Sequence, residues 1–219
     1  MTTDRLTKTA VADRALRLAD DEGLEAVTVR RLAKELGVTP MALYWHFKNK
    51  DELLLGMVDH VLTDVRAGSA ADDGWQKRLR RVVEIVFDVM RAHPWLPTLL
   101  FSVDKFQVES FQRATNDTLA LLAEAGFTVE ESYWVAMHLL NGCIGAVSSQ
   151  PGCPPHLPAG EQPEWRRQKR LLLESMPMDR FPMMIELAGT YRDDPDMDRY
   201  YAFCTDLMVS AVETMAASR

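Results

Sequence analysis

Cysteine is scarce in this chain: Cys143, Cys153 and Cys204 are the only three in 219 residues. The number is odd and none stands at metal-ligand spacing from another, which argues against a disulfide framework and a structural zinc site. Long hydrophobic runs are missing too. No apolar stretch approaches the roughly 20 residues that a membrane-spanning helix needs. The opening residues Met1, Thr2, Thr3, Asp4 and Arg5 carry no apolar signal-peptide core, so a cytoplasmic location and no membrane partner are expected. The five histidines, His46, His60, His93, His138 and His156, are scattered. No nucleophile–base pair, metal motif or phosphate-binding loop accompanies them, so neither an enzyme nor a cofactor or metal site is expected. Positive charge is also in short supply. The net charge of −7 argues against indiscriminate nucleic-acid binding, but residues 1–50 hold 9 Lys and Arg against 7 Asp and Glu, whereas residues 51–219 hold 16 against 25. A mildly basic head on an acidic body fits an anion-binding module joined to something else. The expected domains are 1–50 and 51–219.

What the sequence does have is helical periodicity almost throughout, with no strand pattern and no internal repeat. Val11, Ala15, Leu18 and Ala19 recur on one helical face, between Thr7 as N-cap and Gly23 as stop. Thr28 caps a short second helix with Val29, Leu32, Ala33 and Leu36 as its apolar face, and Gly37 ends it. Thr39 caps a third whose first residue is Pro40, where the missing N–H costs nothing. Asn49 with Glu52 makes a capping-box-like start for a fourth, expected to reach about Arg66. Beyond a polar connector at 68–74, Leu79, Val82, Val83, Val86, Phe87 and Met90 form a strong stripe, interrupted by His93-Pro94 and Pro97. Further helices are expected from Asp104 to Gly126, over about 129–150 after a Thr128 cap, over about 164–175 and 180–191, and over about 196–217. Residues 151–163 contain five prolines and two glycines and read as an irregular connector, or as a lid together with the methionines from Met176 to Met184. The fold expected is all-α, with about nine or ten helices.

Helix, three-residue turn, helix is a DNA-reading geometry in which the second helix enters the major groove. In the segment 40–47, Leu43 and Phe47 fall on the buried side. Met41, Ala42, Tyr44 and His46 then face outward with Trp45 at the flank, a large aromatic and hydrogen-bonding surface for so short a helix. The wording is specific as well. Thr28-Val29-Arg30-Arg31-Leu32-Ala33-Lys34-Glu35-Leu36-Gly37-Val38, followed by Ala42-Leu43-Tyr44-Trp45-His46-Phe47-Lys48-Asn49-Lys50-Asp51-Glu52-Leu53-Leu54, closely resembles the TetR (tetracycline-repressor) family of bacterial one-component regulators over roughly residues 7–60. A weaker resemblance to the tetracycline repressor's effector-domain class continues through Trp75-Gln76, Gly126-Phe127 and Gly145-Ala146-Val147.

The resemblance implies a helix-turn-helix head on a larger helical effector-binding and dimerisation body. The implied protein is a homodimeric repressor that binds a palindromic double-stranded DNA operator and is released by a small-molecule effector. It also implies a base contact for Arg30, a phosphate contact for Thr28 and DNA-backbone contacts for Tyr44 and His46. At Lys50 the ammonium joins the exposed N–H groups of a helix start to make an anion site. Thr39, Met41, Ala42 and Trp45 complete the DNA-facing set. Pro40, Met41 and Ala42 depart from the tetracycline repressor, so a different operator is expected. Arg31, Lys34, Lys48 and the run Arg166, Arg167, Lys169 and Arg170 read more simply as solvated charge.

Dimerisation is expected through about 129–150, where Gly142, Gly145, Ala146 and Ser149 form a strip of small residues, and about 196–217, with Leu207, Ala211, Val212 and Met215; packing within one chain is the alternative. For the effector, the central helices supply Met90, Trp95, Phe101, Phe111 and Tyr133, and the sharpest candidates are Phe106, Trp134, Met137, His138 and Asn141; plain core packing is the competing reading of each, and the simpler one for any single residue. A metal-free, largely apolar effector is expected. The positions that grip the drug–magnesium chelate in the tetracycline repressor fall near Arg66 and Val82, and neither can hold Mg²⁺. The competing reading is a helical small-molecule-binding or interaction protein without DNA binding.

Overall fold

A computed structural model describes residues 6–63, 65–66, 73–154 and 157–219. Most of the connector at 68–74 and two residues of the 151–163 segment therefore lie outside the described residues. Among those described, the chain forms eleven α-helices and no strand. They are α1 Lys8–Glu22, α2 Val29–Leu36, α3 Pro40–Tyr44, α4 Lys50–Val61, α5 Trp75–Ala92, α6 Leu96–Ser102, α7 Glu109–Glu124, α8 Val129–Ser148, α9 Gln162–Glu174, α10 Pro182–Leu187 and α11 Met197–Ala217. None is long and apolar enough to cross a membrane. Two compact units result, one of residues 1–148 with 205–219 and one of residues 149–204.

The helix starts are local chemistry. Thr7, Thr28 and Thr39 accept hydrogen bonds from the N–H groups of Ala10, Arg31 and Ala42 at 3.1, 3.2 and 3.3 Å. Each satisfies a donor that the first helical turn leaves orphaned. Thr128 accepts from Glu131 N–H while the Glu131 carboxylate accepts from Thr128 N–H at 2.8 Å, a complete capping box. At α4 the box is shifted by one residue. Asn49 Oδ1 accepts from Glu52 N–H, but the Glu52 carboxylate takes the N–H of Lys48, both at 2.8 Å.

Several boundaries differ from the expectation. Helix α4 ends at Val61 rather than near Arg66. The segment after Asp104 starts with a 3₁₀ turn, Lys105–Gln107, before α7 begins at Glu109. The region around Pro97 is a helix, α6, because Pro97 occupies its first turn, where no intrahelical N–H partner is needed.

In the first unit α1 packs on α4, and α5, α7 and α8 pack on one another around Leu79, Phe87, Leu121 and Leu122, all fully buried. Helices α8 and α11 run antiparallel. A Cβ at Gly142 would sit 2.7 Å from Met208 Cε, and Arg219 donates to both Glu131 carboxylate oxygens at 2.8 and 2.9 Å. Residues 131 to 142 thus run against 219 to 208. In the second unit Trp165 meets Tyr191 with ring centroids 6.0 Å apart, Arg166 pairs with Asp194, and Met178, Met183 and Met184 are exposed.

The Glu131 pair gives a pH prediction. The Arg219 guanidinium, and then the N–H and hydroxyl of Thr128, hold the Glu131 carboxyl down at about 2 from an ordinary 4.5. A carboxyl depressed in the folded state stabilises it above the unfolded pKa and loses that contribution as pH falls through the folded one. Glu131→Gln is therefore expected to lower the melting temperature at neutral pH, with the gap to the parent closing as pH falls from 4.5 toward 2. Thermal melts of both proteins across that window check it.

Candidate DNA interface and ligand cavity

Helix α2 ends where Gly37 adopts a left-handed conformation at φ 67° and Val38 N–H turns back to the Ala33 carbonyl at 2.9 Å. Thr39 and Pro40 then start α3 at once. The segment expected at 40–47 is helical only to Tyr44, with Trp45 at the C-cap. Leu43 and Phe47 nevertheless reach the core at 3% and 7% exposure, while Tyr44, Met41 and Trp45 stand out at 46%, 68% and 85%. Phe47 is held tightly, because α4 passes it at Gly56, where an added Cβ would lie 2.6 Å from the ring.

The charges sort themselves. Arg31 is consumed by Glu22 and Glu35 at 2.7 and 2.6 Å, and Arg14 also takes Glu35. The Arg31 hydrogen bond holds the Glu35 carboxyl below its usual range. Lys48 is tied to Glu52 through its N–H and, at 3.6 Å, its ammonium. Among the described residues neither Arg30 nor Lys50 takes part in an ion pair, and both are exposed. Thr28, Thr39, Met41, Tyr44 and Trp45 are exposed as well, with Ala42 and His46 half-buried. Of the nine sequence-predicted DNA residues, Arg30 lies on α2, Met41, Ala42 and Tyr44 on α3 and Lys50 at the start of α4, while Thr28, Thr39 and Trp45 cap α2 and α3 and His46 follows in the turn.

Leu62, Val65 and helices α5, α6, α7 and α8 line a partly open cavity of about 80 Å³. Val86, Met90, Leu100, Phe111 and Met137 are among its walls, and Thr115 and Thr118 supply hydroxyls. Thr118 already donates to the Ala114 carbonyl at 2.8 Å. Among the described residues no Asp, Glu, Lys, Arg or His lines it. The structure does not bring the five effector candidates together. Of them Met137 alone lines the cavity, whereas Phe106, Trp134, His138 and Asn141 are exposed. Helix α8 is amphipathic in two directions. One face closes the cavity, and Trp134, His138, Asn141 and Gly145 share another at helical spacing. From the wider aromatic set Met90 and Phe111 line the cavity, Phe101 is exposed and Trp95 is buried elsewhere. The strip of small residues divides too: Gly142 meets Met208 of its own chain, whereas nothing lies within 4 Å of a Cβ at Gly145.

Sequence reasoning missed the polar contacts that tie α1 and α4 to each other and to the helices that follow them. Asp20, near the end of α1, accepts from Trp95 Nε1 at 2.6 Å and from His93 Nδ1 at 2.9 and 3.1 Å. Asp59 of α4 accepts from Ser110 N–H at 2.8 Å, supplying the cap that Val108 cannot give α7. His60, the next residue, lies 2.8 Å from Asp13 of α1. No local pattern announces these pairs.

Comparison with known proteins matches this geometry. The family model described as bacterial regulatory proteins of the tetR family matches residues 11–57, and the tetracyclin repressor-like C-terminal domain matches residues 67–216. The chain is 33% identical over 156 residues to the tetracycline repressor protein class C of Escherichia coli, covering 67% of each chain. It is 28% identical over 219 residues to the HTH-type transcriptional repressor DrrR1 of Streptomyces coeruleorubidus, covering 98% of this chain and 80% of that one. Among solved structures, apo ActR from Streptomyces coelicolor superposes with a TM-score of 0.82 at 25% identity over 99% of both chains. ActR in complex with (S)-DNPA gives 0.77 at 25% identity, over 94% of this chain and 96% of that one.

Proposed function

The chain belongs to the TetR family of bacterial transcription regulators, which are not enzymes, and from that premise we propose a homodimeric repressor released from its operator by a neutral, largely apolar effector. The head, residues 1–50, docks through Thr28, Arg30, Thr39, Met41, Ala42, Tyr44, Trp45, His46 and Lys50. The body, residues 51–219, pairs the two copies and holds the effector. The observation that carries the reading is the division across residues 40–47, where Leu43 and Phe47 fill the core and leave Met41, Tyr44 and Trp45 exposed. Exposed aromatic and thioether groups on and just after a five-residue helix contribute little to the core, and such residues suit a groove that carries phosphates and thymine methyls.

The effector class follows from the cavity. With no Asp, Glu, Lys, Arg or His among the described residues of its wall, a charged ligand would sit unpaired in an apolar site, at a cost of several kcal/mol. ActR was crystallised with (S)-DNPA, which supports an organic small molecule for a body of this shape. The contacts we propose are Met90, Leu100, Phe111, Thr115 and Met137, in place of Phe106, Trp134, His138 and Asn141. The exposed face of the α8–α11 pair, with Trp134, His138, Asn141 and Gly145 beside Leu207, Ala211 and Met215, supports a second copy as its cover.

The test is selection of an operator from a randomised duplex pool, followed by titration at rising salt. A selected near-palindrome should bind one dimer, with affinity falling steeply as salt displaces phosphate contacts. Neutral aromatic compounds should then lower operator affinity, and the operator should weaken their binding by the same factor. Recovery of no preferred duplex would overturn the DNA reading. A release that required tetracycline with Mg²⁺ would overturn the effector class alone.

A further inference from the structure

We infer that Asp20 is a positioning residue for operator affinity: with His93 and Trp95 it forms a latch that ties the DNA-reading head to a wall of the cavity through α1, in parallel with α4. The inference rests on the operator-binding reading above.

The latch is built, not incidental. Asp20-Asp21-Glu22 places three acids in the last turn of α1, where the helix dipole disfavours negative charge. Glu22 is answered by Arg31. Asp20 is answered from seventy residues away, by both His93 and Trp95. Trp95 is 8% exposed, and its indole N–H finds its hydrogen-bond partner in that carboxylate. The His93 and Trp95 rings pack against each other with centroids 5.6 Å apart. A residue that opposes its own helix yet completes a distant polar cluster is a local conflict that the tertiary structure maintains.

The position of the latch gives it a task. His93 follows α5 directly and Trp95 precedes α6 directly. Met90 on one side and Leu96 and Leu100 on the other line the cavity. The junction is stiff: His93 N–H bonds to the Val89 carbonyl at 3.0 Å and Leu96 N–H to the His93 carbonyl at 2.9 Å. The cavity holds about 80 Å³, whereas sites for drug-sized ligands occupy roughly 300–1,000 Å³. An occupant of that size must therefore part the walls. A displacement of α6 moves Trp95 and either drags Asp20, and with it α1, or breaks the Trp95 bond to the Asp20 carboxylate. Both outcomes change the seat of the head, whose α1 packs on α4 and α2. The other tie, Asp59 on Ser110 N–H, reaches α7 rather than α6, so the two report on different walls.

A double-mutant cycle tests this without a known ligand. Ala136→Phe overfills the cavity from α8 and serves as the built-in occupant. Operator affinity is measured by fluorescence anisotropy on the selected duplex for the parent, Ala136→Phe, Asp20→Ala and the double variant, with melting temperatures as the folding control. Ala136→Phe should weaken operator binding by about tenfold in the parent, within the usual range of allosteric coupling. In the Asp20→Ala background it should weaken binding less than about threefold, a non-additivity that marks coupling. If Asp20→Ala does not fold, the same cycle with Trp95→Phe, which keeps the packed ring and removes only the N–H, gives the reading. Equal weakening in both backgrounds, or no effect of Ala136→Phe in the parent, overturns the latch. Failure to select any duplex instead overturns the operator-binding premise.

Discussion

Replacing Arg30 and Tyr44 together by alanine is expected to reduce operator affinity by about a hundredfold or more while leaving the melting temperature nearly unchanged. Arg30 is exposed and takes part in no ion pair among the described residues, so its removal breaks no contact that holds the head. Tyr44 is 46% exposed, and surface substitutions of that kind usually stay within about 0.5 kcal/mol of the parent. On DNA the same groups count for more. A base contact by arginine is worth about 1–3 kcal/mol, and each lost phosphate contact also lowers the salt slope by about one. A dimer carries every substitution twice. The contrasting control is Leu43→Ala. Leu43 is 3% exposed, and core truncations of leucine cost about 2–5 kcal/mol, so its effect should appear in the melt first. Gel shift with parallel thermal melts separates the two. A double variant that melts early while its folded fraction keeps parental affinity would place Arg30 and Tyr44 in the scaffold rather than on the DNA.

The head was readable because its information is local. Thr7, Thr28, Thr39 and Asn49 each cap the helix that follows them, and capping depends on residues three apart in sequence. Gly37 ends α2 with a left-handed turn, which its lack of a Cβ permits. Pro97 was misleading for the same local reason. A proline inside an apolar stripe reads as a break, yet in a first turn it starts a helix. The body was less readable because periodicity assigns a residue to a face but not to a neighbour. Helix α8 is apolar on more than one face, so Trp134 and Met137, three residues apart, looked like one site. The fold sends Met137 to the cavity and Trp134 outward. Asp20 could not be read at all. Its partners lie at His93 and Trp95, and nothing within a helical turn of it distinguishes it from an ordinary solvated acid.

The outward face of α8 and α11 carries the second large prediction. Trp134→Glu with Leu207→Glu should convert the protein to a folded monomer that no longer binds the full operator. In the single chain Trp134 is 59% exposed and Leu207 is 62% exposed, so neither replacement disturbs the intrachain core, and helicity by circular dichroism should hold. In an isologous pair each site occurs twice, and the double variant sets four like charges where apolar groups are meant to meet. Each desolvated, unpaired carboxylate costs several kcal/mol, more than enough to dissociate a micromolar pair. A monomer reaches only one half-site. Losing the linked second head removes the local concentration that multiplies affinity by about 10²–10⁴-fold. Phe106→Glu is the control, since Phe106 is 50% exposed on the turn before α7 rather than on α8 or α11, and it should leave the dimer intact. Sedimentation velocity with gel shift decides the matter: a double variant that still sediments as a dimer would move the interface off α8 and α11, and a parent that is monomeric when it binds its operator would remove the two-headed mechanism altogether.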